Sequence, residues 1–201
     1  MTPRTPRDGA LVLLKKRGIV RSRDLERHGI SRTQIRRLRE QGLIEQVGRG
    51  LYTLPGAVLT EQHSLAEAAQ RVPGGVVCLL SALRFHGLTT QNPSDVWMAI
   101  DRKAWRPRAG YPRLRLVYLS SRALQEGAEE HDVGGVRVRV FSAAKTVADC
   151  FKYRNKVGVD VAVEALRDFS RRHRGGATEL ARFARICRVT RVMQPYLDAI
   201  A

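Results

Sequence analysis

Residues 19–55 read IVRSRDLERHGISRTQIRRLREQGLIEQVGRGLYTLP, and this stretch decides the fold predicted for the first part of the chain. Ser22 and Ser31 each stand before a short amphipathic segment, and a serine at a helix N-cap accepts a hydrogen bond from a free amide of the first turn. Gly29 and Gly42 follow those segments, and glycine commonly ends a helix. The stretch therefore predicts two short helices separated by a tight turn.

Two short strands are predicted after the second helix, at residues 43–47 and 51–54. They flank Gly48-Arg49-Gly50, a glycine-bracketed turn that suits a β-hairpin. Two helices, a turn and a basic-tipped hairpin are typical of a winged helix-turn-helix, whose second helix enters the major groove of DNA. Arg49 at the tip could reach a minor groove or a phosphate.

The alternative for this stretch is a small basic interaction module with a solvated arginine face. The second helix directs mostly long hydrogen-bond donors outward, which suit phosphates and base edges better than a mixed-sign solubility pattern does. The sequence therefore favours DNA binding over a pure interaction module.

The chain as a whole is strongly basic. It has 201 residues, a formal net charge of +17 and a sequence pI near 11.0, so we expect a polyanionic partner. Residues 1–59 carry 13 Lys/Arg and 5 Asp/Glu, a net +8, and residues 60–201 carry the remaining 23 and 14, a net +9. The first part thus has more than twice the charge density, while the second part keeps enough charge for another anionic contact.

The cysteines and the hydropathy indicate where the protein works. Cys78, Cys150 and Cys187 lie in apolar settings without a CxxC motif, which predicts buried, reduced thiols. No apolar run approaches the roughly 18–20 residues of a membrane span. Residues 1–10 also lack the apolar core of a secretory signal. We therefore expect a soluble protein of the cytoplasm, associated with the nucleoid.

The sequence predicts an α+β chain of two domains, residues 1–56 and residues 57–201, because Leu54-Pro55-Gly56 is a strong structure breaker. The first domain is the winged helix-turn-helix, opened by a helix that starts at Asp8 or Gly9 with Leu11, Val12 and Leu14 facing inward. The second is a mixed α/β domain that ends in helices. Its strands are predicted at residues 96–100, 113–119, 129–133 and 136–141, and its helices at residues 60–71, 76–88 (in the later half), 143–153, 159–172, 178–188 and 192–200.

Catalytic chemistry has little support in the sequence. There is no GxxxxGK[ST] phosphate loop and no GxSxG elbow. The histidines are scattered without zinc-binding spacing; they are His28, His63, His86, His131 and His173. Asp95 with Asp101-Arg102-Lys103 loosely resembles a metal-dependent nuclease core that would hold Mg²⁺. We expect no enzyme activity, no metal and no cofactor, with the nuclease as the minor alternative.

Two further patterns leave more than one interpretation open. Arg113/Arg115 and Arg137/Arg139 alternate with apolar residues, which fits a solvated sheet face, a second DNA-contacting surface or an RNA-binding face. The solvated face is slightly favoured. The aromatic residues are sparse and fit core and loop packing better than a base-stacking platform; they are Trp97, Trp105, Tyr111 and Tyr118.

Three segments together resemble the AbiEi antitoxins of bacterial type IV toxin–antitoxin systems, over about residues 8–190. They are GRGLYTLPG (48–56), SALRFHGLTTQNP (81–93) and FSAAKTVADCFKYRNKVGVDVAVEALRD (141–168). The resemblance implies a winged helix that binds inverted repeats in the operon's own promoter. It also implies a C-terminal domain that supports antitoxicity against a nucleotidyltransferase-like toxin, without a stable complex between the two. A stand-alone regulator without a toxin is the alternative.

The resemblance also implies a set of DNA-binding residues. The recognition-helix contacts would be Arg32, Thr33, Gln34, Arg36 and Arg37, and the wing contact would be Arg49. Ser22 and Ser31 are added as phosphate contacts through helix N-termini, and Gln34, Arg36 and Arg37 are the candidates for base readout. Since the sequence shows no heptad seam, we expect a monomer or weak dimer whose two copies pair on double-stranded DNA.

Overall fold

The computed structural model describes residues 5–48, 50–56, 61–108 and 112–200. They form a mixed α+β chain that divides into two compact units. The first unit extends to Pro73 and also includes His131–Val138, and the second comprises Gly74–Glu130 and the residues from Arg139 onward. The boundary predicted after residue 56 adjoins residues 57–60, which lie outside the described ranges, and it stays a prediction.

The first unit is mainly helical, with a small sheet. Its elements in chain order are α1 (Pro6–Arg17), β1 (Ile19–Arg21), α2 (Ser22–Arg27), α3 (Arg32–Glu40), β2 (Glu45–Gly48), β3 (Leu51–Thr53) and α4 (Glu61–Arg71).

Helix α1 begins earlier than predicted because Thr5 caps it. The Thr5 hydroxyl accepts a hydrogen bond from the Asp8 amide at 3.1 Å, and Pro6 occupies the first helical turn, where its missing N–H costs nothing. Ala10, Leu13 and Leu14 are buried, whereas Val12 is 55% exposed. The prediction that Val12 faces inward was therefore wrong, because the helix lies in a different rotation from the one expected.

The small sheet has three antiparallel strands in the order β1-β3-β2, one more than the two-stranded ribbon predicted. Strand β1 pairs with β3, with Val20 opposite Tyr52. The Thr53 hydroxyl donates a hydrogen bond to the Gly18 carbonyl at 2.7 Å, which ties the end of β3 to the end of α1. A strand of three residues is too short to show an alternating pattern in the sequence.

The helices and sheet of this unit enclose one apolar core, to which every element from α1 to α3 contributes. Its buried members are Ala10, Leu13, Leu14, Val20, Leu25, Ile30, Ile35, Leu38 and Ile44. The inward positions predicted for Leu25, Ile35 and Leu38 are confirmed.

The second unit combines a sheet with a cluster of helices. The remaining elements of the chain are β4 (Val76–Val77), α5 (Leu79–Phe85), β5 (Val96–Asp101), β6 (Leu114–Leu119), α6 (Ser121–Gln125), β7 (Ala128–Val133), β8 (Val136–Phe141), α7 (Ala143–Lys152), α8 (Arg154–Val157), α9 (Val159–Arg172), α10 (Ala177–Ile186) and α11 (Thr190–Asp198). Of these, only the adjoining ends of β7 and β8 within His131–Val138 belong to the first unit.

The larger sheet is mixed, with strand order β6-β5-β4-β8-β7. Strand β5 runs parallel to β6 and antiparallel to β4, while β4 runs parallel to β8. The central strand β4 is only two residues long, with Val76 and Val77 paired to β5 and Val77 opposite Val140 of β8. The Cys78 amide, directly after β4, also donates to the Trp97 carbonyl of β5 at 3.0 Å.

Helix α7 forms the centre of the helical part and is buried along almost its whole length, from Ala144 to Phe151. It packs against α5, α9 and α10. Its Cys150 lies in the same core as Cys78 and Cys187, and all three thiols are free and buried, as predicted. In the described part of the chain, no helix is both long enough and apolar enough to cross a membrane.

Candidate nucleic-acid interface

Helix α3 begins at a reciprocal capping box. The Ser31 hydroxyl accepts a hydrogen bond from the Gln34 amide at 3.3 Å, and the Gln34 side-chain carbonyl accepts one from the Ser31 amide at 2.8 Å. The predicted N-cap at Ser31 is therefore confirmed. The same geometry uses the side-chain oxygen of Gln34, so only its NH₂ group remains to donate to a ligand.

The two sides of α3 differ sharply in character. Ile35 and Leu38 are buried in the core, and Gln34 is half-buried beside them. The exposed side consists of polar residues, which are Arg32, Thr33, Arg36, Arg37, Arg39 and Glu40. Four exposed arginines and a single carboxylate give this side of the helix a strong positive charge.

Two of these arginines are positioned by carboxylates. Arg32 Nε lies 2.5 Å from Glu26 Oε1 of α2, and this hydrogen bond raises the pKa of Arg32. Arg36 Nε lies 3.5 Å from Glu40 Oε1, one helical turn further on. Both guanidinium groups stay largely exposed, so each remains accessible to an anion.

Arg37 has a different environment. Within the described residues its guanidinium forms no ion pair. Its side chain helps to line a surface cavity of about 240 Å³ together with Gln34 and Gln41 of the α3 region and residues 5–7 at the start of α1. Arg37 is thus an exposed cation that lines a small surface depression.

Sequence reasoning missed Arg39. This exposed residue follows Arg32 and Arg36 at the i, i+4, i+7 spacing that places side chains along one side of a helix. Arg39 Nη1 donates to Gln46 Oε1 at 2.8 Å, and Gln46 Nε2 donates to the Gly48 carbonyl at 3.1 Å. The chain of hydrogen bonds joins α3 to β2. The arginine spacing alone could have identified this residue.

Ser22 is not the N-cap of α2, contrary to the prediction. It is the first helical residue, Arg21 occupies the cap position without a side-chain cap bond, and the Ser22 amide donates to the Gly50 carbonyl at 2.9 Å. Because β1 leads directly into α2, a hairpin carbonyl satisfies the amide that a capping side chain would otherwise serve. Gly50 has φ +70°, a left-handed conformation that favours glycine. Arg49, the predicted wing contact, lies outside the described residues.

The comparison with known proteins concerns this same region. Residues 10–55, from within α1 to the residues after β3, match a family model described as "Transcriptional regulator, AbiEi antitoxin". The segment is AbiEi-like. The resemblance predicted from the sequence is confirmed for these residues, and the two later segments on which it also rested lie outside the match.

Beyond the AbiEi-matched segment, the likeness to known proteins is one of fold. A crystal structure of the RV2827C protein from Mycobacterium tuberculosis aligns with 89% of this chain and 70% of that chain, with a TM-score of 0.55 and 15% sequence identity. Identity at this level shows a shared fold alone. No curated protein matches the chain.

The alternating arginines outside the AbiEi-matched segment, Arg113/Arg115 and Arg137/Arg139, do not lie on neighbouring strands. Arg115 is in β6 and Arg139 in β8, and β5 and β4 separate those strands. Arg115 Nε is 3.7 Å from Asp95 Oδ2, and its guanidinium lies 4.9 Å from the centre of the buried Trp97 ring. Arg139 Nη2 donates to Gln125 Oε1 at 2.8 Å. Both side chains therefore have intramolecular partners.

The residues of the nuclease alternative are far apart. Asp95 precedes β5 and Asp101 ends it, so six residues of strand place them about 20 Å apart. Asp101 accepts hydrogen bonds from the Ser121 hydroxyl and, at 2.8 Å, from the Lys103 amide. This arrangement does not form the metal site that the alternative requires, and the described residues contain no group of three potential metal ligands.

Proposed function

We propose that this protein is a sequence-specific, DNA-binding transcriptional repressor. In this proposal it is the antitoxin of a type IV toxin–antitoxin system and represses its own operon by binding inverted repeats. The exposed arginine side of α3, fixed to the unit by the Ser31–Gln34 capping box, is the observation that carries the proposal. The family match at residues 10–55 and the net charge of +17 support it.

The fold proposed for this region is a winged helix-turn-helix. Helices α2 and α3 contact each other and are separated by the turn at residues 28–31, in which Gly29 has φ +81°. The strands β2 and β3 form the wing. In this arrangement α3 is the recognition helix, and its N-terminal residues enter the major groove.

Arginine contacts would supply both affinity and base readout. The pairs Arg32–Glu26 and Arg36–Glu40 are exposed, and exposed pairs contribute only about 0–1 kcal/mol. A phosphate or a guanine edge can therefore replace the carboxylate at little cost. Arg36 and Arg37 are the proposed base-reading residues, and Gln34 could take part only through its NH₂ group.

The two serines would act through their hydroxyl groups. The backbone amide of Ser22 is bonded to Gly50 and that of Ser31 to Gln34, so neither amide is available to a phosphate. A serine hydroxyl can accept one hydrogen bond and donate another. Ser22 and Ser31 can thus donate to phosphate oxygens, with Thr33 beside them, while Arg49 is the proposed contact from the wing.

Recognition of an inverted repeat needs two copies of the chain, one on each half-site. Half-sites read on one face of the duplex are about 34–36 Å apart. We propose that the copies are monomeric or weakly dimeric in solution and pair on the DNA. The toxin is not expected to form a stable complex with this chain. A repressor of this kind works at the nucleoid.

The decisive experiment is a gel-shift titration with DNA from directly upstream of the gene, at about 150 mM salt and with scrambled competitor DNA. Wild-type protein should bind in two steps that resist the competitor. The variant Arg36→Ala/Arg37→Ala should bind at least tenfold more weakly, since each bidentate guanine contact is worth roughly 1–3 kcal/mol.

The matched control is Arg174→Ala/Arg191→Ala, which removes the same charge from exposed positions of the second unit. It should bind the operator nearly as well as wild type. Equal losses in the two double variants would show that only charge matters and would refute base readout by α3.

A further inference from the structure

The two tryptophans of the chain have opposite environments. Trp97 is 3% exposed in the core, whereas Trp105 is 95% exposed in the loop after β5. The interpretation of Trp105 as a packing residue was therefore wrong. A fully exposed indole gains nothing from the hydrophobic effect, and exposed aromatic groups of this size often mark binding sites.

Exposed cations surround Trp105 in sequence. Arg102 and Lys103 precede it, and Arg106 and Arg108 follow it. Within the described residues, Arg102, Lys103 and Arg106 form no ion pair. We call residues 102–108 the tryptophan loop. It combines one uncovered aromatic ring with four positive charges.

The start of the tryptophan loop is held in place. Asp101, at its base, accepts hydrogen bonds from the Ser121 hydroxyl and the Lys103 amide, and these bonds lower the pKa of Asp101. The Arg102 amide donates to the Leu119 carbonyl at 2.9 Å, and the Ala104 amide donates to the Asp101 carbonyl at 2.9 Å. The turn directly before Trp105 is thus fixed to the ends of β5 and β6.

We propose that the tryptophan loop binds single-stranded nucleic acid. Trp105 stacks on an unpaired base, while the four cations contact the phosphates on either side. This combination of a stacking aromatic and a basic surface is the usual basis of single-strand binding without sequence preference. Paired bases inside a duplex are covered on both faces by their neighbours, so an indole can stack only on a base that is free.

A protein partner fits this loop less well. The buried centres of protein interfaces are depleted of charged residues, because charges lose their hydration there. Trp105 has charged residues on both sides and only Ala104 and Pro107 as apolar neighbours in the loop. The site is also distinct from the proposed duplex-binding surface of α3, and it does not depend on it.

The test uses the fluorescence of the full chain carrying Arg36→Ala/Arg37→Ala, so that the α3 surface contributes little. Four probes are titrated at about 150 mM salt. They are a 12-nucleotide oligo(U), a 12-nucleotide oligo(dT), an abasic strand of the same length and a 12-base-pair duplex. At least one of the two base-carrying strands should quench the Trp105 fluorescence to a saturating level. A comparison of the affinities for oligo(U) and oligo(dT) then shows whether the loop prefers RNA or DNA.

Two substitutions assign the signal. Trp105→Phe should abolish the quenching, because Trp97 is buried, yet retain most of the affinity measured by anisotropy of a labelled strand. Trp105→Ala should weaken binding by roughly 5- to 150-fold, the range for loss of one stacked base. Since Trp105 touches solvent on nearly all sides, both variants should unfold at the wild-type temperature.

Two outcomes would overturn the proposal. If the abasic strand or the duplex binds as tightly as the base-carrying strands, the loop contacts phosphates only. If no probe changes the fluorescence and the Trp105→Ala variant binds like its parent, the loop does not bind nucleic acid, and a protein partner becomes the explanation.

Discussion

Lys145 Nζ and Asp149 Oδ2 form an ion pair one turn apart in α7, and both side chains are buried. Two further groups complete the surroundings. The Lys145 ammonium lies 4.5 Å from the centre of the Phe141 ring, and the Cys187 thiol donates to Asp149 Oδ1 at 3.2 Å. Each charge thus has a partner in the buried core, where an unpaired charge is costly.

Removing one member of this pair should destabilise the protein strongly. Lys145→Met should lower the free energy of unfolding by about 3–5 kcal/mol, because Asp149 would remain as an uncompensated buried charge. The double variant Lys145→Met/Asp149→Leu should recover much of that loss. Urea unfolding measures both, with Lys152→Met at an exposed position of α7 as the control. A double variant less stable than Lys145→Met would contradict the role of the unpaired charge.

The cysteines should be unreactive in the folded protein. Burial, followed by the nearby Asp149 charge, raises the pKa of Cys187 to about 12 and also raises the pKa values of Cys78 and Cys150. At pH 8 almost no thiolate is present, and the thiolate is the reactive form. A colorimetric thiol reagent should therefore detect no thiol in native protein and three in urea. Rapid labelling of any thiol in native protein would show that the α7 core opens.

The capping box should contribute measurably to the stability of the first unit. Ser31→Ala removes the acceptor of the Gln34 amide and should cost about 1 kcal/mol. Thr33→Ala is the control, because Thr33 is exposed two residues later and has no capping role. Thermal unfolding compares the variants. Equal stability of Ser31→Ala and Thr33→Ala would mean that the cap contributes little.

His63 should make stability depend on pH. It is buried, its ring nitrogens have no hydrogen-bond partner in the described part of the chain, and burial lowers its pKa below the ordinary value of 6.5. Below about pH 6.5 the unfolded chain takes up a proton more readily than the folded one. As the pH is lowered, the free energy of unfolding should therefore decrease, by at most about 1.4 kcal/mol per pH unit.

Glu67 must be removed from that measurement. Glu67 Oε2 lies 3.4 Å from His63 Nε2, and burial raises the pKa of Glu67. Because the folded protein then takes up a proton at Glu67 more readily than the unfolded chain does, this group adds stability as the pH is lowered. Urea unfolding between pH 7.5 and 5.5 should show a loss of stability for Glu67→Gln and a flatter profile for His63→Leu/Glu67→Gln. Parallel profiles would exclude His63 as the source.

Local signals in the sequence predicted α3 and its cap because a serine at the N-cap and two inward apolar residues act within one short segment. Strand β1 was missed because its pairing with β3 joins residues 30 to 34 positions apart. The bond from the Ser22 amide to Gly50 was missed for the same reason, and the prediction then made Ser22 a cap. Tertiary contacts cannot be deduced from local patterns.

The candidate site shows the same limit. The arginines of α3 could be identified from the sequence, and the i, i+4, i+7 spacing of Arg32, Arg36 and Arg39 would have completed them. The use of the Gln34 oxygen in the cap and the link from Arg39 to Gln46 depend on side-chain geometry. The exposure of Trp105 could not be foreseen either, because an aromatic residue in a loop is packed in some folds and uncovered in others.

The unequal spans of the two sheets have a consequence for synthesis on the ribosome. Every strand of the three-stranded sheet has been made once Thr53 has been added, whereas β4 waits for its partner β8 until about Val140. Some 87 residues are added between those two moments, which takes about 4–17 s at a synthesis rate of roughly 5–20 residues per second. From the completion of β4 at Val77 until β8 is made, the β8 side of β4 has no strand to pair with, and an unpaired strand edge promotes aggregation. The nascent chain should therefore need a chaperone most while residues 78–140 are being translated.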